Sequence, residues 1–165
     1  MTYHHDSNTI YFFSDRNGSN AIYSYQSKAA SGLEDLLEQE LEAEAVEVLN
    51  SDYDDKTPYI FDDIMLFVSD RDSANGNFNI YFSKFEAEKW SEPQKLPQQI
   101  DTETDDSFNY LNSNYNEYRP RLFEKAEDFL KETDDNKVII FSSNRPGGKG
   151  GYDLYLAVLP LDIFD

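Results

Sequence analysis

Three Ser-x-Arg motifs, each at the end of an apolar run, carry the side chains of this chain best suited to binding chemistry. They are Ser14-Asp15-Arg16, Ser69-Asp70-Arg71 and Ser143-Asn144-Arg145. A guanidinium is planar and has five donors, so it can clamp carbonyl or carboxylate oxygens of a neighbouring element. The middle side chain can accept backbone N–H bonds and tighten the turn. The alternative to this structural role is that the three arginines face an anionic ligand together.

Acidic clusters offer a second kind of chemistry, because calcium takes oxygen ligands. One cluster contains Asp52, Asp54 and Asp55, and the other contains Asp101, Glu103, Asp105 and Asp106. Neither cluster matches the EF-hand loop with its central glycine and terminal glutamate. Solvated acidic loops are therefore the simpler interpretation, with calcium kept as an alternative. No other cofactor is predicted.

Catalysis is poorly supported by the residue types present. His4 and His5 are the only histidines, and adjacent residues of a strand point to opposite faces, so they cannot build a relay or a three-histidine metal site. The chain has no cysteine, which excludes thiolate chemistry and disulfides. The glycines at 147–151 lack the Lys-Ser/Thr of a phosphate-binding loop and are predicted to serve a turn. We predict a protein that is not an enzyme.

The charge limits the partners. With 33 acidic and 14 basic residues the net charge is −19, which argues against nucleic acid and anionic membrane surfaces. Solubility is the simplest explanation of this charge, and a basic partner is the alternative. No apolar run approaches the ~18 residues of a membrane span, and no signal segment precedes the first strand. We expect a mature chain or a piece of a longer one.

Each motif is positioned by a predicted β-hairpin, and the hairpin occurs three times. An apolar run leads through a turn to a second run that contains Tyr23, Tyr81 or Tyr155. The spacing from arginine to tyrosine is 10 positions in the second and third hairpins and 7 in the first. Recurrence with four short strands per unit is typical of propeller blades. The prediction is an all-β chain, a partial propeller of about three four-stranded antiparallel blades: 1–50, 56–100 and 118–165.

The remaining strands and the insertions are predicted less regularly. First strands are placed at 2–5, 57–61 and 118–123, and fourth strands at 45–49, at 95–100 and, if present, within 160–165. Short helices are predicted near 33–42 and 124–132, because their leucines and acids separate onto opposite faces. The first helix is expected to pack on blade one, or else to dock a partner. Residues 101–117 form a long polar loop, which is usually functional or disordered.

The combined pattern resembles the TolB-like, WD-repeat-like β-propeller repeat of bacterial envelope proteins. The matching elements in the second unit are Pro58, Asp62, Ser69-Asp70-Arg71, Gly76 and Asn79-Ile80-Tyr81. The link Trp90-Ser91-Glu92-Pro93 is similar to a variant found beside OmpA-type peptidoglycan-binding domains. The resemblance implies a periplasmic, outer-membrane-associated or secreted protein. Because a ring usually needs four to eight blades, we expect a longer chain, a second copy or an open array.

The function predicted from these features is a non-enzymatic scaffold for protein–protein interaction in the cell envelope. The alternative is a module that binds carbohydrate or peptidoglycan fragments, or the propeller of a glycan-active enzyme. A glycan site would place exposed aromatic side chains around a pocket with two or more carboxylates. Trp90 is expected to pack between blades instead. The candidate binding residues, all on the turn face, are Arg16, Arg71, Arg145, Asp105, Tyr110 and Tyr115.

Overall fold

A computed structural model describes residues 1–26, 42–99, 110–124 and 137–164. Within these residues the protein is all-β, as predicted, with three antiparallel sheets and one 3-10 helix. The two predicted helices lie almost entirely outside the described residues, and their described end residues, Glu42 and Glu124, are not helical. No helix in the described ranges is long and apolar enough to cross a membrane.

The N-terminal sheet has four strands in the spatial order of the chain. They are β1 (Thr2–His4), β2 (Thr9–Ser14), β3 (Ala21–Gln26) and β4 (Glu44–Ala45). The predicted fourth strand at 45–49 is wrong in its extent. Residues 46–50 form a turn instead, in which the Leu49 N–H donates to the Val46 carbonyl at 2.9 Å.

The central sheet has five strands, of which β5 to β8 follow in order and β9 pairs with β7. They are β5 (Asp55–Phe61), β6 (Ile64–Ser69), β7 (Asn79–Glu86), β8 (Lys89–Trp90) and β9 (Gln94–Lys95). The predicted fourth strand at 95–100 is thus shorter and begins one residue earlier. Sequence analysis missed β8, which is a two-residue return of the chain against the end of β7.

The C-terminal sheet has three strands. They are β10 (Glu117–Phe123), β11 (Lys137–Ser143) and β12 (Asp153–Leu159). A fourth strand within 160–165 is wrong for the described residues, because Leu161–Phe164 form a 3-10 helix. Its Phe164 ring is buried and meets the Phe82 ring edge-on at 5.1 Å, so the helix closes one end of the core.

The central sheet is covered on both faces. Met65 and Phe67 of β6 pack in the cluster shared with the N-terminal sheet, whereas Leu66 and Val68 pack in the cluster shared with the C-terminal sheet. Neighbouring strand residues point to opposite faces, so a strand buried on both sides needs an unbroken apolar run. The three sheets therefore pack in series, with the central sheet in the middle.

The first strands of the central and C-terminal sheets, β5 and β10, each contain a β-bulge at the same position. Their third residues, Thr57 and Arg119, have φ of 54° and 51°, and the pairing register shifts there. Pro58 and Pro120 follow directly. A proline lacks the N–H that a regular ladder needs, so a bulge is where a strand tolerates it.

Candidate functional site

The Arg71 side chain joins three parts of the chain. Its Nη2 donates to the Asp55 Oδ1 and to the Leu49 carbonyl, each at 2.6 Å, and its Nε donates to the Ser69 Oγ at 2.9 Å. Asp55 is fully buried, and its Oδ2 accepts the backbone N–H and the hydroxyl of Ser51 at 2.7 and 2.8 Å. A buried carboxylate is stable only when paired and hydrogen-bonded, and this one is both.

Arg145 repeats this arrangement in the C-terminal sheet. Its Nη2 donates to the Glu117 Oε1 at 2.9 Å and to the Leu111 carbonyl, and its Nε donates to the Ser143 Oγ at 3.0 Å. Glu117 is also fully buried, and it accepts the Ser113 hydroxyl at 2.6 Å. An arginine, an acid at the start of the first strand and a leucine carbonyl thus recur as a unit, which we call the arginine latch.

Arg16 has the stacking part of the latch but not its anion. The Arg16 guanidinium carbon lies 4.7 Å from the centre of the Tyr23 ring, as Arg71 lies 5.1 Å from the centre of the Tyr81 ring. Its only side-chain hydrogen bond within the described residues is from Nε to the Ser14 Oγ at 3.3 Å. It is exposed, and no described carboxylate pairs with it. Two of the three arginines predicted to bind anions are therefore paired with buried carboxylates, and Arg16 is paired with none of the carboxylates that the structure describes.

The residues 49–55 and 111–117, here called the crossing segments, run from one sheet to the next. In the first, the Asn50 side-chain amide takes the place of a neighbouring strand's backbone beside β3. The Ile22 N–H donates to Asn50 Oδ1 at 2.6 Å, and Asn50 Nδ2 donates to the Ile22 carbonyl at 2.9 Å. In the second, Asn112 does the same to Ile80 of β7, at 2.7 and 3.1 Å. Each crossing segment is thus fastened to the sheet that it leaves and, through its acid, to the arginine of the sheet that it enters.

In the second and third Ser-x-Arg motifs, the middle side chain binds a crossing segment and not its own turn. The Asp70 Oδ1 accepts the Asp54 N–H at 2.9 Å, and the Asn144 Oδ1 accepts the Asn116 N–H at 2.8 Å. The predicted tightening of their own turns is not what these side chains do, because each points from a strand end toward the segment crossing beside it. Asp15 is exposed, and its carbonyl accepts the Gly18 N–H at 2.9 Å.

The pKa of the Asp54 carboxyl is lowered by its surroundings. Burial raises its pKa, but hydrogen bonds from Lys56 and from the Asn20 backbone and side chain, with the charge of Lys56, outweigh burial and leave the pKa below its ordinary value. The Lys56 Nζ lies 2.7 Å from the Asp54 Oδ2. The acidic cluster at 52–55 is therefore engaged by protein cations through Asp54 and Asp55.

No group of three potential metal ligands occurs in the part of the chain that the structure describes. The predicted calcium candidates Asp101, Glu103, Asp105 and Asp106 lie outside that part. Asp105 is also one of the predicted binding residues, and that prediction too lies outside the described residues.

Three of the predicted binding residues meet in one cleft of about 610 Å³: Tyr110, Tyr115 and Arg145. Tyr110 and Tyr115 are 52% and 42% exposed. The amide side chains of Gln98, Gln99 and Asn114 also line it, and no carboxylate is among its described lining residues. Rings, amides and a guanidinium suit a neutral polar ligand or a loop of another protein. Arg16 and Arg71 are not among the residues that line this cleft.

The aromatic motif residues are structural. The Tyr23, Tyr81 and Tyr155 rings stack on Phe12, Phe67 and Phe141 respectively, with centroids 5.9 to 6.0 Å apart. Burial raises the pKa of the Tyr81 phenol far above its ordinary value, and its 2.7 Å hydrogen bond to Asp72 adds to this.

Trp90 lies between sheets, as expected. It is 5% exposed in the cluster that joins the N-terminal and central sheets, and its ring meets Tyr11 and Phe85 edge-on at 5.7 and 5.1 Å. It is not a surface ring available to a sugar.

Sequence analysis missed Asn50 and Asn112, although a signal for them exists. The crossing segments have the sequences Leu-Asn-Ser-Asp-Tyr-Asp-Asp and Leu-Asn-Ser-Asn-Tyr-Asn-Glu, 62 positions apart. Comparing the chain with itself at an offset of 62 positions, and not at the 74 positions that separate Arg71 from Arg145, exposes this second repeated motif. Sequence analysis predicts the first segment as an acidic cluster, and the second as the end of a loop that carries the candidate binding residue Tyr115.

Comparison with models of known protein families finds no match, and comparison with curated proteins finds none either.

Proposed function

We propose that this chain is a segment of a β-propeller that acts as a non-enzymatic scaffold for protein–protein interaction in the bacterial cell envelope. The observation that carries the proposal is the twofold recurrence of one inter-sheet interface: a crossing segment bound by an asparagine to the sheet behind it and by a latch to the sheet ahead. Successive sectors of a radial disc would be joined in this way. The envelope location rests on the sequence resemblance alone.

A scaffold needs a rigid frame and exposed anchors, and the described residues provide both. The latches and the two apolar clusters fix the sheets to one another. Exposed tyrosines stand on the crossing segments, with Tyr53 at 55% and Tyr115 at 42% exposure. Tyrosine is enriched where proteins meet, because its ring buries area and its hydroxyl finds a partner.

The scaffold function is tested by site-specific photo-crosslinking in the native host. The crosslinker p-benzoylphenylalanine is placed at Tyr115 and, as a matched control, at Tyr3, which is 41% exposed on the N-terminal sheet. We expect a discrete protein adduct from position 115 that position 3 does not form. Absence of any adduct from position 115, in cells where the chain is folded, contradicts the proposal.

Binding of a glycan or peptidoglycan fragment is the second candidate, because the cleft combines two exposed tyrosines with amide side chains. Its described lining residues do not include the two carboxylates expected of a glycan site, so the scaffold function is preferred. Muropeptides and chitooligosaccharides are titrated calorimetrically into the full chain. If the cleft binds them, Tyr115→Ala weakens binding at least about tenfold, since stacking and a hydrogen bond together exceed about 1.4 kcal/mol. Tyr53→Ala, at the equivalent position outside the cleft, leaves binding unchanged. Equal loss from both variants, or no binding by the parent chain, rules this candidate out.

A further inference from the structure

Equivalent residues of the three hairpins differ sharply in exposure. Ile22, Ile80 and Leu154 each precede the motif tyrosine of their hairpin. Ile22 and Ile80 are 0% exposed, whereas Leu154 is 78% exposed. Leu154 lies in β12, and within the described residues β12 pairs with β11 alone. A large apolar side chain exposed where its counterparts are buried marks a surface that something can cover.

The two covered counterparts show the chemistry of the cover. Beside Ile80, the Asn112 amide bonds both the N–H and the carbonyl of the backbone. Two residues earlier, the Phe78 N–H donates to the Asn116 Oδ1 at 3.0 Å, and the Glu117 N–H donates to the Phe78 carbonyl at 2.9 Å. The N-terminal sheet shows the same bonds. Asn50 bonds the N–H and the carbonyl of Ile22, the Asn20 N–H donates to the Asp54 Oδ1, and the Asp55 N–H donates to the Asn20 carbonyl.

The corresponding backbone groups of the C-terminal sheet belong to Tyr152 and Leu154. Ser142 is the register partner of Leu154, as Val68 is the partner of Ile80, so the N–H and carbonyl of Leu154 point away from β11 as those of Ile80 point away from β6. No described residue hydrogen-bonds the backbone of Tyr152 or Leu154 outside the ladder with β11. Tyr152 is 52% exposed.

We infer that the outer edge of β12 at Tyr152 and Leu154 is a docking site for a segment of another protein with the chemistry Leu-Asn-Ser-x-Tyr-(Asp/Asn)-(Asp/Glu). The asparagine pairs with the backbone of Leu154, and the last two residues pair with the backbone of Tyr152. Strand-edge recognition of this kind takes its affinity from main-chain bonds and its specificity from alternate side chains. The inference rests on the proposed scaffold function and names the partner for one of its edges.

A second copy of this chain does not fit the site in its native form. Both crossing segments of the described residues are engaged within the chain, through Asn50 and Asn112. A second copy would have to release one of them. We place there a protein in which such a segment is free, and self-association is an outcome that the test must distinguish.

The test uses the full chain labelled with ¹⁵N and a synthetic peptide with the sequence of residues 111–117. We expect saturable chemical-shift changes, and slower hydrogen exchange, at the amides of Tyr152 and Leu154. A matched peptide with aspartate in place of the asparagine that corresponds to Asn112 lacks the amide donors and should bind about tenfold more weakly or worse, since a lost hydrogen bond in a covered site is worth roughly that factor. No shift at these amides up to millimolar peptide, or equal shifts with both peptides, overturns the inference.

Two variants of one residue locate the site. Leu154→Pro removes the outward-facing N–H, which an edge strand tolerates, and should abolish peptide binding. Leu154→Ala keeps the N–H and should retain binding within about threefold, since the main chain supplies most of the contact. Equal binding by both variants overturns the inference. If Leu154→Pro alters the Trp90 fluorescence of the unliganded chain, the comparison of the two peptides on Leu154→Ala decides instead.

Sedimentation of the unliganded chain completes the test. A dimer in which the Leu154 amide is already protected means that a second copy occupies the edge, which refutes the assignment to a different protein. Failure of the peptide together with a crosslink from position 115 removes this docking site and leaves the scaffold function standing. Peptide binding without any crosslink keeps this docking site and removes the partner expected at Tyr115.

Discussion

Replacing Arg71 by methionine is the sharpest perturbation of the latch, because the chain carries its own control. In Arg71→Met the Asp55 carboxylate stays fully buried and keeps its two bonds from Ser51, but it loses the one cation that pairs with it among the described residues. Removing one partner of a buried ion pair costs about 3–5 kcal/mol. For a chain of this size, each kcal/mol lowers the melting temperature by about 2–4 °C, so we expect a fall of roughly 6–20 °C.

Arg16→Met is the matched control. Arg16 stacks on Phe12 and Tyr23 as Arg71 stacks on its two rings, but it is exposed and has no described anion. An exposed cation–π contact is worth about 0.5–1 kcal/mol, so the control should lose no more than that. The difference between the two variants therefore measures the buried ion pair together with the hydrogen bond to the Leu49 carbonyl, and it cancels the contributions of ring stacking and of the bond to the motif serine.

The assay is urea unfolding followed by Trp90 fluorescence and by circular dichroism. Trp90 is the only tryptophan and lies at the interface of the N-terminal and central sheets, so its signal reports the region that the latch holds. Sheets that pack in series can unfold separately, and non-coincident transitions by the two probes would reveal this. A difference of less than about 1 kcal/mol between the two variants refutes the account of the latch.

A double variant tests the cause of the loss. Adding Asp55→Asn to Arg71→Met removes the uncompensated charge, so it should recover about 0.5–3 kcal/mol relative to Arg71→Met alone. If the second substitution makes the protein still less stable, charge burial is not the reason for the first effect.

Three further predictions concern the packing between sheets and the response to acid. Asn112→Ala should lower the unfolding free energy by about 2–4 kcal/mol, since it leaves the Ile80 N–H without its acceptor and the Leu96 carbonyl without the amide donor, while the Ile80 carbonyl keeps the Leu96 N–H. Asn114→Ala removes an exposed side chain of the same segment and should change the unfolding free energy by less than about 0.5 kcal/mol; equal effects would contradict the strand-like role of the Asn112 amide. Ile80→Ala should cost about 2–5 kcal/mol in urea unfolding, and its exposed counterpart Leu154→Ala less than about 0.5; a large loss in the second variant would mean that Leu154 is covered. The pKa of Asp54 is lowered in the folded state, so its contribution to stability is complete above the unfolded pKa and is lost as the pH falls through the folded pKa. The melting temperature of Asp54→Asn should therefore fall less steeply with decreasing pH than that of the parent chain, at pH values below the ordinary carboxyl pKa of 3.8. An unchanged pH dependence would show that this carboxylate is not linked to folding.

The strands of the hairpins could be predicted because their signal is local. Runs such as Ile64–Ser69 are β-branched, aromatic and bounded by turn residues, and the structure places that strand at the predicted residues. The fourth strands were predicted poorly at 45–49 and 95–100, because short outer pairings depend on what lies beside them and not on a periodic pattern.

The candidate site was predictable only by residue type. That Arg71 and Arg145 clamp oxygens follows from guanidinium geometry, but which oxygens they clamp does not: Leu49 precedes Arg71 by 22 positions, and Glu117 precedes Arg145 by 28. Asp70 is predicted to bond its own turn because the linear pattern shows the turn residues beside it and not the Asp54 N–H that lies next to it in space.

The sequence by itself determined an all-β chain built from a repeated hairpin, since alternation, turn residues and spacing are properties of neighbouring positions. Only the tertiary structure decided which copies of a motif residue are buried or ion-paired. Ile22, Ile80 and Leu154 occupy equivalent positions, as do Arg16, Arg71 and Arg145, yet one member of each set is exposed. Burial and ion pairing depend on the element packed alongside, and no single repeat encodes its neighbour.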